Sequence, residues 1–271
     1  MRNRYGRAGA ALAIALFLVS CLVLLPLAQW YNRSVDCREG IDEYVFKSES
    51  QSSEAAARIE IKQWHYLETF SEPIAQFQTV FWESKDTESL RSWIDSSGKI
   101  ADADILEIGT GTGLVALCCL KQHAASVVAT DINPAAVANA KYNAENLGFS
   151  SRLDVRRVTT VDPGPFAVID PDQQFDLIIS NPPWENHPVE EVAAYALYDP
   201  GFSLLDAILE QSAEHLNDGG SLLLAYGAKA AVQRILTKAP EHGWTVNVLD
   251  DRNVTELPDV FLPGMLIELR R

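Results

Sequence analysis

Short apolar runs alternate with helix-forming segments from residue 103 to the end of the chain. The apolar runs predict seven strands, at residues 103–108, 126–131, 153–158, 175–180, 221–226, 244–249 and 264–269. The segments between them predict helices at residues 113–123, 134–147, 204–216 and 230–239. Strands that alternate with helices form a parallel sheet that is covered on both faces. We therefore expect residues 101–271 to form one doubly wound α/β domain.

The segments before this domain follow other patterns. Apolar and aromatic residues at helix-like spacing over residues 58–100 predict a helical preface to the sheet. Residues 29–57 are interpreted as a linker, because the chain becomes polar and rich in serine towards their end. Residues 8–28 carry no charge and follow a basic N-terminus, residues 1–7. A helix of that length would be about 31 Å long, enough to cross a membrane.

Three interpretations of residues 8–28 remain open. An uncleaved single-pass membrane anchor is favoured, because the segment is longer than the ~7–15 apolar residues of a usual signal peptide. A cleaved signal peptide is the second interpretation. A lipoprotein signal is the third, because Leu18–Cys21 resembles a lipobox.

The charge of the chain is unevenly distributed. The net charge is −15, but the first 39 residues carry +3 and the rest therefore carry −18. A body this acidic repels phosphate groups, which argues against nucleic acid as a partner. The four cysteines and five histidines show no metal-ligand spacing, so we predict no metal site.

A glycine-rich turn follows the first predicted strand of the sheet. It contains Glu107, Gly109, Thr110, Gly111 and Gly113. Glycine allows the backbone to turn tightly and to approach a ligand, and the helix that follows offers free N–H groups at its start. The spacing is Gly-x-Gly-x-Gly, which differs from the Gly-x-Gly-x-x-Gly of dinucleotide-binding turns.

An acidic residue, Asp131, ends the second predicted strand about 20 residues later, where a carboxylate can accept hydrogen bonds from ribose hydroxyls. Ile105–Gly113 together with Asp131–Ala136 resembles the class I S-adenosylmethionine (SAM)-dependent methyltransferases. The resemblance implies a Rossmann-like seven-stranded methyltransferase sheet and S-adenosyl-L-methionine as the cofactor. It also implies that the glycine-rich turn binds this cofactor together with Asp131 and Ile132. Candidates for an adenine contact follow the third strand: Thr159, Thr160 and Asp162.

A second motif, Asn181-Pro182-Pro183-Trp184, follows the fourth predicted strand. Ligands of α/β sheets bind at the carboxyl ends of the strands, so this motif and the glycine-rich turn should share one cleft. The two prolines fix the backbone and remove two N–H donors, which leaves Asn181 and nearby carbonyls to accept hydrogen bonds from a substrate N–H. Trp184 offers a flat face for stacking on the acceptor.

The Asn-Pro-Pro-aromatic motif is similar to that of N-methyltransferases that act on amide or exocyclic amino nitrogens. Over residues 80–230 the chain best resembles the HemK-like group, which methylates the glutamine side-chain amide of release factors. Trp184 departs from the tyrosine or phenylalanine that is more common in that group. The resemblance implies a SAM-dependent N-methyltransferase that acts on a protein side chain, or secondly on a small molecule.

Other interpretations remain as alternatives. The arginines before residue 8 favour a body outside the cytoplasm, whereas the supply of SAM favours the cytoplasmic side. This conflict motivates a membrane-anchored, non-catalytic binding protein that retains the methyltransferase fold. The turn spacing disfavours a nucleotide-dependent oxidoreductase. His187 could act as a base, although its position is more typical of a loop histidine.

Overall fold

The computed structural model describes residues 44–45, 58–82 and 84–271. It divides into two units at Glu60 and Ile61. In the first unit, β1 (Tyr44–Val45) pairs with β2 (Arg58–Ile59) in an antiparallel manner. The predicted segments 1–7 and 8–28 lie outside the described residues, as does nearly all of the predicted linker.

The second unit contains a seven-stranded sheet. Its strands are β5 (Asp104–Ile108), β6 (Ser126–Asp131), β7 (Leu153–Arg157), β8 (Phe175–Ser180), β9 (Leu216–Ala228), β10 (Thr245–Val248) and β11 (Val260–Arg270). The strand order is β10-β11-β9-β8-β5-β6-β7, and β11 is antiparallel to both of its neighbours. Strands β5 to β9 pair in parallel, so the predicted doubly wound, Rossmann-like sheet is confirmed.

Helices cover both faces of this sheet because its central strands are apolar on both faces. Ile105 and Leu106 are adjacent in β5 and both are fully buried, each in a different core cluster. The helices are α1 (Glu88–Ser96), α2 (Leu114–Lys121), α3 (Pro134–Asn146), α4 (Ser203–Gln211) and α5 (Lys229–Lys238). Shorter 3₁₀ helices lie at Val192–Ala196, Pro200–Phe202, Ser212–His215, Ala239–His242 and Val254–Glu256.

One predicted boundary moves substantially. The helix expected to reach residue 216 ends at Gln211, and strand β9 begins at Leu216 rather than at Ser221. Residues 217–220 therefore lie within the strand, although their composition predicts a turn. The pairing of β9 with β8 shifts register between Phe175 and Leu177, which accommodates the additional residues.

The region before the sheet differs from the prediction. In place of a helical preface over residues 58–100, the structure has a hairpin of β3 (Ile61–His65) and β4 (Ile74–Phe77), followed by the single helix α1. All four residues of β4 are buried, so apolar spacing alone could not distinguish this strand from a buried helix. The prediction of a helical segment is therefore wrong for residues 61–77, and it is confirmed only for Glu88–Ser96.

Two buried asparagines of helix α3 hold the hairpin in place. Asn139 Oδ1 accepts a hydrogen bond from the Phe77 amide, and Asn143 Oδ1 accepts one from the Ala75 amide, both at 2.8 Å. Both Nδ2 groups donate to the Ala75 carbonyl. The backbone groups of β4 therefore find partners on a helix, which satisfies them in a buried position.

The fold-class prediction also placed a membrane-spanning helix ahead of the sheet. No helix within residues 44–45, 58–82 and 84–271 has the length and apolar character to cross a membrane. The predicted span, residues 8–28, lies outside that part of the chain. The correction to the fold-class prediction is therefore the hairpin of β3 and β4, which replaces most of the predicted helical segment before the sheet.

Candidate active site

A cleft of about 390 Å³ opens at the carboxyl ends of β5, β6 and β8. The chain reverses its direction of winding between β5 and β8, because β6 lies on one side of β5 and β8 on the other. Ser180 ties the two central strands together, because its hydroxyl donates to the Ile108 carbonyl at 2.7 Å. Open α/β sheets bind ligands at this kind of reversal.

The glycine-rich turn forms one wall of the cleft. The amides of Gly109 and Thr110 both donate to the Thr130 carbonyl at 2.9 Å. The Thr110 hydroxyl donates to Glu107, which is 4% exposed, at 2.6 Å. Gly109 and Gly111 have positive φ angles of 79° and 55°, a conformation that other residues rarely adopt.

Gly113 has a different role from the other glycines of the turn. It precedes helix α2 with a φ of 85°, and it is not among the residues that line the cleft. A Cβ atom at this position would lie 3.0 Å from the Ala140 Cβ and 3.1 Å from the Ala140 Cα. Gly113 therefore allows close packing of α3 against the turn, rather than contact with a ligand.

Asp131 lies at the end of β6 and faces the cleft. Its Oδ2 accepts a hydrogen bond from the Gly111 amide at 2.9 Å, and its Oδ1 accepts one from the Asn133 amide at 2.8 Å. Burial raises the pKa of this carboxyl group to about 6, although these amides and that of Ile132 act in the opposite direction. Three amide donors leave this carboxylate with acceptor capacity for one further donor.

The Asn181-Pro182-Pro183-Trp184 motif forms the opposite wall of the cleft. All four residues line it. Asn181 Oδ1 and Trp184 Nε1 are buried polar atoms without a hydrogen-bond partner in the described part of the chain. Because a buried polar atom without a partner is costly, these two atoms indicate groups that a ligand completes.

The Trp184 indole rests on the backbone of β9. A Cβ atom at Gly227 would lie 2.2 Å from Trp184 Cζ3 and 2.4 Å from Trp184 Cη2. The absence of a side chain at Gly227 therefore makes room for the far edge of the six-membered ring. One edge of the ring therefore has a protein contact, and stacking of its flat face on an acceptor stays a prediction.

Residues 185–203 complete the acceptor wall. Glu185 and Tyr198 form a β-bridge, in which the Asp199 amide donates to the Glu185 carbonyl at 2.8 Å. Asp199 is 1% exposed and accepts hydrogen bonds from the amides of Leu204 and Leu205 at the start of α4. This capping holds the segment against the end of the sheet.

The other predicted candidates lie away from the cleft. His187 is exposed and packs against Tyr198, with ring centroids 5.3 Å apart, and it does not line the cleft. Thr159, Thr160 and Asp162 are exposed, while Val158 and residues 163–165 line the cleft in their place. Within the described residues, no cluster of three or more histidine, cysteine or acidic side chains could hold a metal ion.

Several residues of the cleft were not predicted. They are Val80, Phe81, Asp86, Thr87, Asn133, Tyr195 and Tyr198. Asp86 and Tyr198 begin two short segments, Asp86–Leu90 and Tyr198–Gly201, in which the resemblance to the HemK-like group is specific, and that resemblance is the signal that could have found them. Phe81 and Tyr195 have no comparable signal, because an isolated aromatic residue is more typical of a core.

The family follows from the comparison with known sequences. The model of the methyltransferase small domain family matches residues 85–247, which is more than half of the chain. The chain therefore belongs to this family.

Relatives of known name cover part of the chain. The release factor glutamine methyltransferase of Cereibacter sphaeroides is 40% identical over 140 residues, 46% of this chain and 47% of that protein. The ribosomal protein uL3 glutamine methyltransferase of Burkholderia pseudomallei is 31% identical over 58% of this chain and 56% of that protein. The matches thus span about half the length of these curated relatives.

Solved structures resemble the fold. A proposed SAM-dependent methyltransferase of Streptococcus mutans superposes with a TM-score of 0.52 and 14% identity, over 72% of this chain and 53% of that one. At this identity the similarity shows the fold alone.

Proposed function

We propose that this protein is a SAM-dependent N-methyltransferase that methylates the side-chain amide of a glutamine in another protein. The observation that carries the proposal is the buried, unpartnered Asn181 Oδ1, which lies in the same cleft as the Asp131 carboxylate. An acceptor that lacks a donor partner fits a substrate N–H, and the half-buried Asp131 carboxylate fits a ribose hydroxyl. The names of the relatives, glutamine methyltransferases of a release factor and of uL3, support the same acceptor.

The residues of the cofactor wall fit SAM. Asp131 would accept a hydrogen bond from a ribose hydroxyl, and the open backbone at Gly109 would allow close approach, since a Cβ there meets no atom within 4 Å. Glu107, Thr110, Gly111 and Ile132 line the same wall. When bound, this cofactor supplies a methyl group on a positively charged sulfur.

The acceptor wall would orient the nitrogen that receives the methyl group. Asn181 Oδ1 accepts one N–H of the amide, which aims the nitrogen at the methyl carbon. The cofactor held by Asp131 and the glycine-rich turn would supply the methyl carbon. Its sulfur would keep the electron pair of the C–S bond, and the amide nitrogen would release one proton to solvent as it gains the methyl group. Positioning of this kind can supply ~7–11 kcal/mol of a reaction barrier.

Transfer of labelled methyl groups tests this function. The full chain is incubated with SAM carrying a tritiated methyl group and, separately, with a release factor, with ribosomal protein uL3 and with an adenine-containing oligonucleotide. We expect label in a protein, and mass spectrometry of its peptides should place one methyl group on a glutamine. Label in the oligonucleotide alone would contradict the proposal. The oligonucleotide arm is informative because a tRNA adenine-N6 methyltransferase of Vibrio parahaemolyticus is 36% identical over 38% of this chain and 40% of that protein.

Binding of the cofactor is tested separately by thermal unfolding. S-adenosylhomocysteine (SAH) at ~100 times its Kd should stabilise the fold by about 2.7 kcal/mol. For a domain of this size the melting temperature should rise by roughly 5–10 °C. NAD serves as the control and should have no effect. Stabilisation by SAH without transfer to any acceptor would favour a non-catalytic binding protein.

Because SAM is a cytosolic compound, we also propose that the domain works in the cytoplasm.

A further inference from the structure

The acceptor wall contains two unpartnered buried atoms of opposite character. Asn181 Oδ1 is an amide oxygen, which only accepts hydrogen bonds, and Trp184 Nε1 is an indole nitrogen, which only donates them. Neither atom has a partner in the part of the chain that the structure describes. Both residues line the cleft, three positions apart on a backbone stiffened by two prolines.

The contact with Gly227 fixes which end of the indole is available. The atoms that approach Gly227 are Cζ3 and Cη2, at the far edge of the six-membered ring. Nε1 belongs to the five-membered ring and takes no part in that contact. The indole is thus held by its hydrocarbon end, while its N–H group at the other end lacks a partner.

We propose that Trp184 Nε1 donates a hydrogen bond to the carbonyl oxygen of the acceptor amide, while Asn181 Oδ1 accepts from the N–H of the same amide. This inference rests on the proposed function and specifies its acceptor. A primary carboxamide carries a donor and an acceptor side by side and satisfies both buried atoms. A simple amine carries only the donor and leaves Trp184 Nε1 unpaired, which a buried site disfavours.

The second hydrogen bond also fixes the orientation of the substrate. An amide held only at its N–H can rotate about that bond, so its plane is undefined with respect to the methyl group. An amide held at both its N–H and its C=O has a defined plane, and its nitrogen presents one face to the reacting carbon. Trp184 is in this sense a specificity-determining residue, and phenylalanine at the same position would provide no donor.

The test compares binding of two peptides to the full chain loaded with SAH. One is a short peptide that contains a single glutamine, and the other has norleucine in its place, which matches the side chain in length without an amide. For the wild type we expect the glutamine peptide to bind about 30-fold more tightly. In Trp184→Phe this ratio should fall to about threefold, because one hydrogen bond of ~10-fold value is lost.

Two further variants separate this role from a general effect on structure. Trp93→Phe makes the same chemical change outside the cleft and should leave the ratio and the SAH affinity unchanged. Trp184→Leu also lacks the indole N–H and should lower the ratio to a similar extent. These two variants at position 184 keep the test informative if one of them is poorly folded, since SAH binding reports the fold in each.

The outcomes distinguish the inference from the function on which it rests. A ratio in Trp184→Phe within twofold of the wild-type value, with SAH binding intact, overturns the inference alone. Weaker binding of both peptides to the same extent also overturns it, because that is the signature of a structural defect. A wild type that methylates the adenine-containing oligonucleotide and no glutamine overturns the proposed function together with the inference.

Discussion

The two walls of the cleft differ in how their polar groups are satisfied. On the cofactor wall, the amides of Gly109, Thr110 and Gly111 all have partners within the protein, as does the Asp131 carboxylate. On the acceptor wall, Asn181 Oδ1 and Trp184 Nε1 are buried without one. The first wall is built mainly from backbone groups, and the second from side chains on an irregular segment.

This difference separates two tasks. A wall whose groups already have partners within the protein keeps its shape without a ligand, so its affinity for the cofactor depends on backbone geometry and on the acceptor capacity that the Asp131 carboxylate retains. On a wall with unpaired buried polar groups, the free energy of those groups is lowest when a matching ligand supplies the missing hydrogen-bond partners. Such a wall therefore discriminates between acceptors. Changes on one wall should therefore leave the task of the other largely unaffected.

The largest expected effect is on the acceptor wall. Asn181→Ala removes the acceptor that orients the substrate N–H, and we expect kcat/KM for the protein acceptor to fall about 100-fold. The Kd of SAH, measured by calorimetry, should change less than twofold. Asn247→Ala, an exposed asparagine on β10, is the matched control. Equal losses in turnover and in SAH affinity would contradict the separation of the two walls.

The corresponding change on the cofactor wall is Asp131→Ala. It removes the carboxylate expected to bind the ribose and also leaves the amides of Gly111 and Asn133 without a partner. We expect the Kd of SAH to rise about 30-fold, since hydrogen bonds to a charged group are each of ~1.5–3 kcal/mol. The control is Asp154→Ala, on β7 outside the cleft, which should leave the Kd of SAH unchanged. A normal SAH affinity in Asp131→Ala would refute the ribose assignment.

A glycine substitution tests the packing of helix α3 against the glycine-rich turn that carries the cofactor wall. Gly113→Ala requires alanine at a φ of 85° and brings its Cβ to 3.0 Å from that of Ala140. We expect a loss of about 2 kcal/mol of unfolding free energy, seen as a melting temperature roughly 4–8 °C lower. Gly148 has a similar φ of 75°, but a Cβ added there would have no atom within 4 Å. Gly148→Ala should therefore lose less unfolding free energy than Gly113→Ala. Equal losses would mean that packing against α3 contributes nothing.

The smallest effect concerns pH and again should act on one wall only. The pKa of Asp131 is raised to about 6, and a ribose hydroxyl would favour its ionised form. SAH affinity should therefore be nearly full at pH 7, about half of that at pH 6 and about tenfold weaker at pH 5. Calorimetry across this range measures it. In Asp131→Asn the dependence should disappear, and its persistence would assign the titration to another group.

The central strands and the two motifs were predictable from local patterns. The prediction for β6 matches its observed bounds of Ser126 to Asp131, and Pro134 and Gly148 marked the limits of helix α3. Runs of apolar residues that are buried on both faces leave a strong signal. The glycine-rich turn and the Asn181 motif lie at the ends of such strands, so the parallel topology alone brings them into one cleft.

The hairpin of β3 and β4 could not be predicted in the same way. Its strand β4 pairs on one side with β3 and on the other with two asparagine side chains of α3, Asn139 and Asn143, more than 60 residues later in the chain. A local sequence pattern cannot indicate a strand whose backbone hydrogen bonds are made by side chains so far along the chain. Phe81 follows the hairpin and lines the cleft, so this part of the site was missed together with the strand.

Composition and spacing were sufficient for the α/β class, the order of the elements and the location of the cleft, because burial on two faces and turns at strand ends are local properties. The state of each polar group was decided only by the tertiary structure. Whether Trp184 stacks or donates depends on Gly227, a residue 43 positions away whose missing side chain makes room for the indole. Contacts of this kind depend on how distant segments pack together, so the pattern of residues along the chain does not predict them.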